Sequence, residues 1–183
     1  MECAICQSET NEHLCKWCAG RAAEFVTSNE NHSAINIMWG RGKISWGEAY
    51  YFRNFIAANN IREVLEFGTG LSTEVFAILG IKIVSCDILK NHSDLYAQLQ
   101  SLKGIADIIW YPENGLPDLE ALYPEKKWEF VFVDGPQERT RETKLAMKLS
   151  SKFIFLHDPG LSEYKTELPG FRQIQEGKLF ERL

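Results

Sequence analysis

The chain has 183 residues, of which 45% are hydrophobic and 12% aromatic, enough for one ordinary domain with a real core. Its formal net charge of -5 and pI near 5.5 argue against a general nucleic-acid-binding surface, because such surfaces are basic. No apolar run approaches the roughly 20 residues that span a bilayer, and the first residues lack the pattern of a signal peptide. We therefore expect a cytoplasmic protein without a membrane or nucleic-acid partner.

Four of the five cysteines form two C-x-x-C pairs near the start of the chain: Cys3, Cys6, Cys15 and Cys18. Two such pairs complete a tetrahedral sulfur site suited to zinc, and a segment this short needs a metal in order to fold. Iron also fits four thiolates, and His13 could replace one of them. The spacing predicts a zinc knuckle over residues 1–20, which has a structural role or docks a protein partner. The fifth cysteine, Cys86, is expected to be a small buried residue.

Residues 21–60 are predicted to form a helical linker or lid. Ser45 and Glu48 have the spacing of a capping box, which opens an apolar-periodic segment. Trp39, Trp46 and Tyr50 could form a substrate wall or simply pack against a sheet.

From residue 61 onwards, strand-like and helix-like segments alternate, which indicates parallel strands joined by crossovers. Strands are predicted at 64–67, 82–86, 106–111, 128–133 and 152–156, and helices at 72–79, 93–102, 119–123 and 138–149. The tail from 171 to 183 could add one or two short strands. The pattern predicts an α/β fold with a doubly wound, mostly parallel sheet.

A glycine loop, Glu66-Phe67-Gly68-Thr69-Gly70, separates the first strand from the first helix. Glycines there let the chain turn sharply and bring its backbone against a ligand. Thr73 replaces the third glycine of the dinucleotide fingerprint, and the Glu66 carboxylate suits an amino group and a sulfonium better than a pyrophosphate. Asp87 ends the second strand, where a carboxylate can accept ribose hydroxyls.

This pattern resembles the class I S-adenosylmethionine-dependent methyltransferases, whose first motif is E/D-x-G-x-G and whose second strand ends in an acidic residue. The resemblance covers about residues 61–161 and implies a Rossmann-like cofactor-binding domain over residues 61–183. The cofactor-binding residues that it implies are Glu66, Gly68, Thr69, Gly70, Ser72, Asp87 and Asp134. The alternatives are a domain that binds NAD and one that has lost its cofactor.

Polar residues also follow the fourth and fifth strands, as Asp134-Gly135 and His157-Asp158. The carboxyl ends of parallel strands meet at one edge of the sheet, so Asp134, His157 and Asp158 are expected to converge as catalytic residues. They could hold a divalent cation, or His157 could act as a general base. Arg139 and Arg141 could contact an anionic substrate, although a solvated helix face is the simpler expectation.

These two strand ends resemble the sugar and catechol-type O-methyltransferases, which implies Asp134 and Asp158 as magnesium ligands. Catechol-type enzymes carry Asp-Asn after the fifth strand, where this chain has His157-Asp158.

The expected function is methyl transfer from S-adenosylmethionine to a small-molecule hydroxyl, with or without a divalent metal. The absence of an Asn-Pro-Pro-Tyr type motif after the fourth strand argues against methylation of a base amino group. A cofactor-binding regulatory or scaffold protein that docks a partner through its knuckle is the second hypothesis. A third is an NAD-linked oxidoreductase, which Thr73 and Glu66 disfavour.

Overall fold

The computed structural model describes residues 46–88, 106–112, 115–135, 139–157, 168–175 and 178–183. Several predicted features lie outside these residues: the zinc knuckle at 1–20, the helix at 93–102, Trp39 and Asp158, together with the side chains of Trp46 and Tyr50.

Strands and helices alternate along the described residues as the sequence predicts. The helices are α1 (Trp46–Asn59), α2 (Leu71–Ile78), α3 (Leu119–Leu122) and α4 (Arg139–Leu149). The strands are β1 (Glu63–Phe67), β2 (Lys82–Ile88), β3 (Ala106–Tyr111), β4 (Trp128–Val133), β5 (Ser150–Leu156), β6 (Phe171–Gln175) and β7 (Leu179–Arg182). The largest shifts from the predicted strand bounds are at β2, which continues to Ile88, and at β5, which begins at Ser150.

The strands form one seven-stranded sheet in the order β3-β2-β1-β4-β5-β7-β6. Strands β1 to β5 pair in parallel, and β7 pairs antiparallel with both β5 and β6. The predicted α/β fold with a mostly parallel, Rossmann-like sheet is confirmed, and the tail supplies two strands.

Both faces of the sheet are covered, which is why β1 and β4 read as nearly continuous apolar runs. Alternate residues of each strand enter two separate clusters. One contains Phe130 and Phe132, and the other contains Val131 and Val133 together with Cys86, which is fully buried as predicted.

Helix α1 packs in the first cluster. Ala49, Phe52 and Ile56 lie on one side of the helix at spacings of three and four residues, and all are buried. The Phe52 ring lies 4.9 Å from that of Phe155 and 5.5 Å from that of Phe132, measured between centroids. The last part of the region predicted as a linker or lid therefore belongs to the core, and the division of the chain at residue 60 stays a prediction.

The sheet order places a topological switch point between β1 and β4. The chain leaves β1 towards β2 on one side and later returns to β4 on the other, so the connections from these two strands diverge. Ligands of such sheets bind in the crevice at the carboxyl ends of these strands. None of the helices in the described ranges is long and apolar enough to cross a bilayer.

Candidate functional site

Gly68 brings the loop after β1 against the turn after β4. Its φ of +93° is a conformation that side chains disfavour, and a Cβ at this position would overlap the carbonyl oxygen of Asp134. The Gly68 N–H donates to the Cys86 carbonyl at 2.9 Å, and the Asp134 N–H donates to the Phe67 carbonyl at 2.8 Å. The two loops at the switch point are thus held together by backbone alone.

Gly70 precedes α2 and leaves space above the loop. Among the described residues, no atom beyond its chain neighbours lies within 4 Å of the position that a Cβ would take. Its N–H donates to Thr73 Oγ1 at 3.0 Å, which fixes the first turn of α2. The loop therefore exposes backbone at Gly70 that a ligand can approach closely.

Asp87 ties the same loop to the end of β2. The Thr69 N–H donates to Asp87 Oδ2 at 2.9 Å, and the Ile88 N–H donates to Oδ1 at 2.6 Å. The Thr69 and Ser85 hydroxyls lie 2.8 Å apart. Asp87 is almost completely buried, but a carboxylate oxygen can accept more than one hydrogen bond. Its placement is compatible with the predicted ribose contact, which stays a prediction.

Glu66 lies beneath the loop and is fully buried. The Thr73 and Ser85 hydroxyls both donate to Oε2, the latter at 2.7 Å, whereas Oε1 has no hydrogen-bond partner among the described residues. Burial raises the pKa of Glu66 to about 7, with a smaller contribution from Asp134, against the lowering effect of Ser72, Thr73 and Ser85. Glu66 and the buried Ser72 therefore support the loop from inside, and their contact with a ligand stays a prediction.

Asp134 and His157 meet at the ends of β4 and β5, as the sequence predicts. Asp134 Oδ1 lies 3.1 Å from His157 Nδ1 and 3.1 Å from Arg139 Nη2. The His157 side chain is 3% exposed and that of Asp134 is 25% exposed, so the carboxylate marks where the pair opens towards solvent. The carboxylate lies within ion-pair distance of Nδ1 but without hydrogen-bond geometry there, so its negative charge would favour a proton on the imidazole.

Arg139 completes this cluster, whereas we expected it on a solvated helix face. Its side chain is only 12% exposed, and its Nε and Nη1 donate to the carbonyls of Gly135 and His157 at 2.9 and 3.4 Å. Arg141, on the same helix, is exposed. The position of Arg139 at the start of α4, four residues after Gly135, is the signal that could have revealed its role.

Of the two predicted magnesium ligands, Asp134 and Asp158, Asp158 lies outside the described residues. The other ligand, Asp134, already binds a guanidinium and an imidazole through one oxygen, which is a poor arrangement for a divalent cation. No three His, Cys, Asp or Glu side chains converge on a metal site in the part of the chain that the structure describes.

Glu142 of α4 is a buried carboxyl group that the sequence did not reveal. It lies directly against Gly135, where a Cβ would overlap its carboxylate, and Tyr111 Oη donates to its Oε1 at 3.2 Å. Its Oε2 has no hydrogen-bond partner among the described residues. Burial raises the pKa of Glu142 to about 7, with smaller raising contributions from Asp87 and Asp134. A side chain at position 135 would therefore displace the Glu142 carboxylate from its present position.

Substitution by alanine should destabilise the protein much more at Gly68 than at Gly70. Gly68→Ala should lower the free energy of unfolding by about 2–4 kcal/mol, because the new methyl group overlaps a neighbouring backbone and the φ is positive. Gly70→Ala should change it by less than about 1 kcal/mol, since φ is -167° and the space is open. Urea denaturation measures both. Gly80→Ala, with φ +71° and open space, isolates the backbone contribution, and an equal loss at positions 68 and 80 would refute the steric argument.

The two buried carboxyl groups should make the stability depend on pH. Burial raises the pKa of Glu66 and of Glu142 to about 7 in the folded protein, from an ordinary value near 4.5. Between these pH values the folded protein therefore holds protons that the unfolded chain has lost. The free energy of unfolding should therefore fall as pH rises from about 4.5 to 7, by roughly 1–3 kcal/mol per group. Glu142→Gln should flatten this fall in urea denaturation, whereas Glu120→Gln on the exposed face of α3 should not.

No protein family matches the whole chain or a part of it, and no curated protein matches its sequence. Solved structures nevertheless share its fold. A Staphylococcus aureus protein assigned as a caffeoyl-CoA O-methyltransferase is 14% identical with a TM-score of 0.63, over 90% of this chain and 98% of that one. A methyltransferase-like protein from Silicibacter pomeroyi is 16% identical with a TM-score of 0.58, over 78% of this chain and 88% of that one.

An O-methyltransferase from Bacillus cereus in complex with SAH is 19% identical, with a TM-score of 0.54, over 78% of this chain and 67% of that one. At such identities the likeness establishes the fold alone. The chain therefore has the Rossmann-like fold of these methyltransferases, as the motif resemblance implied.

Proposed function

We propose that the protein transfers a methyl group from S-adenosylmethionine to the hydroxyl of a small molecule. The observation that carries this proposal is the glycine loop at the switch point, which exposes backbone at Gly70 and is tied to Asp87. The shared fold supports it, since one structure with that fold is an O-methyltransferase that holds SAH, the demethylated form of the donor.

The residues around the loop fit this donor better than a dinucleotide. Open space at Gly70 admits a ligand against the backbone, and Asp87 ends β2 beside the loop, where a carboxylate is placed to meet ribose hydroxyls. Asp134, and Glu66 in its ionised form, place negative charge around the loop, which favours a sulfonium and disfavours a pyrophosphate.

The donor supplies an activated methyl group, so the protein has mainly to position the acceptor and remove its proton. Asp134 lies 3.1 Å from His157 Nδ1, and we assign His157 as the base that takes the hydroxyl proton. The hydroxyl oxygen would bond to the methyl carbon as the bond from that carbon to sulfur breaks, which leaves SAH. Arg139 holds Asp134 and the His157 carbonyl, which keeps the base in place at the edge of the sheet.

Binding and transfer are tested separately. Titration calorimetry of the wild-type protein with S-adenosylmethionine and with SAH should show binding of both, and Asp87→Asn should weaken both by about tenfold or more. Transfer of a labelled methyl group to an extract of small molecules should fall by about 100-fold or more in His157→Asn, with donor binding kept within about threefold. Asp134→Asn should lower both transfer and donor binding, because it removes a negative charge beside the loop.

The outcomes discriminate between the hypotheses. Absence of binding to folded wild-type protein would overturn the proposal. Binding without transfer to any acceptor would favour the regulatory or scaffold protein, and full turnover in His157→Asn would remove the assigned base.

We also propose that the four N-terminal cysteines bind zinc, on the support of their spacing alone. Metal analysis of the purified protein should find about one zinc per chain, and Cys15→Ser should lose it. Cys86→Ser is the matched control, because Cys86 is buried in the sheet and should leave the zinc content unchanged. Metal-free, folded wild-type protein would contradict this assignment.

A further inference from the structure

Within the described residues, four carboxyl groups surround the carboxyl ends of β1, β2 and β4: Glu66, Asp87, Asp134 and Glu142. The cationic side chain in this cluster is Arg139, which binds Asp134 together with the titratable His157. Asp87 is satisfied by the backbone N–H groups of the loop and of β2. Negative charge at Glu66 and Glu142 therefore has no cationic hydrogen-bond partner among these residues.

Glu142 is the member of this cluster whose packing the structure defines in most detail. Its carboxylate fills the space over Gly135, one residue from Asp134. The residue is fully buried, and its Oε2 has no hydrogen-bond partner within the described part of the chain. An unsatisfied buried carboxylate oxygen costs free energy unless a proton or a nearby positive charge compensates it. The titratable and charged groups that face it are Tyr111 of β3, Cys86 and Asp87 of β2, Asp134 after β4, and Arg139 of its own helix.

We propose that Glu142 sets the charge preference of the cofactor site, favouring the cationic methyl donor over its demethylated product. The proposal rests on the proposed function, because it assumes that S-adenosylmethionine binds at the glycine loop. The donor carries a positive sulfonium and the product carries a neutral thioether, so a carboxylate beside the site interacts differently with the two.

The physical basis is reciprocal coupling between charge and binding. A cation near Glu142 favours its ionised form, and by linkage the ionised form favours the cation. Loss of the methyl group removes the positive charge, after which the carboxyl group can take a proton from solvent. Because the pKa of Glu142 is raised to about 7, this coupling operates near neutral pH. Binding of the donor therefore weakens as the pH falls and Glu142 takes up a proton.

The test compares dissociation constants for S-adenosylmethionine and SAH at pH 6 and pH 8. In the wild-type protein the preference for the donor should rise about five- to tenfold between these values. Glu142→Gln keeps the shape and an acceptor for Tyr111 but not the charge. At pH 8 it should lower the preference about fivefold, through weaker donor binding and nearly unchanged SAH binding. Glu120→Gln removes one exposed carboxylate and should leave the preference unchanged.

A second variant covers the case in which Glu142→Gln fails to fold. Tyr111→Phe removes the hydrogen bond that stabilises the ionised carboxylate, so the rise in donor preference should move to higher pH. An unmoved rise would overturn the proposal, as would equal weakening of donor and SAH binding in Glu142→Gln. Failure of both ligands to bind the wild-type protein would instead overturn the proposed function, which this experiment reports independently of Glu142.

Discussion

The contact between Gly68 and the Asp134 backbone is the constraint on which the rest of the site depends. It joins the loop after β1 to the turn after β4 without any side chain, and only glycine fits there. The approach fixes where Asp134 begins its turn. From there Arg139 is positioned by a hydrogen bond to Asp134, and His157 lies within ion-pair distance of the same carboxylate. The proposed base and the glycine loop thereby share one backbone junction at the switch point of the sheet.

Within the described residues, the carboxyl groups around that junction outnumber the cationic side chains that contact them. Folding alone does not favour this arrangement, because burial of Glu66 and Glu142 raises the pKa of each to about 7. Residues that cost stability in this way are typical of sites selected for binding or catalysis. A ligand with positive charge would offset the cost, whereas an anionic one would increase it.

The sequence predicted the fold well, because parallel strands covered on both faces leave apolar runs such as Phe130–Val133 and the turns between them are marked by glycine. It also predicted that Asp134 and His157 meet, since both end neighbouring parallel strands. The sequence did not reveal that Glu142 is buried at the site. Its position results from packing against Gly135, and no local motif marks it. The sequence placed Arg139 in solvent, because helical periodicity does not show that the first residue of a helix can turn back towards the preceding strand.

Helix α1 closes one face of the sheet with Phe52, whose ring meets four aromatic rings from α2, β4 and β5. The sheet itself begins after this helix, at β1. A fragment that starts at residue 60 would expose Phe76 and Phe132 to solvent, because it lacks Phe52. The smallest fragment able to fold should therefore include the whole of α1. A truncation of the N-terminal region that extends into this helix would therefore also remove part of the core.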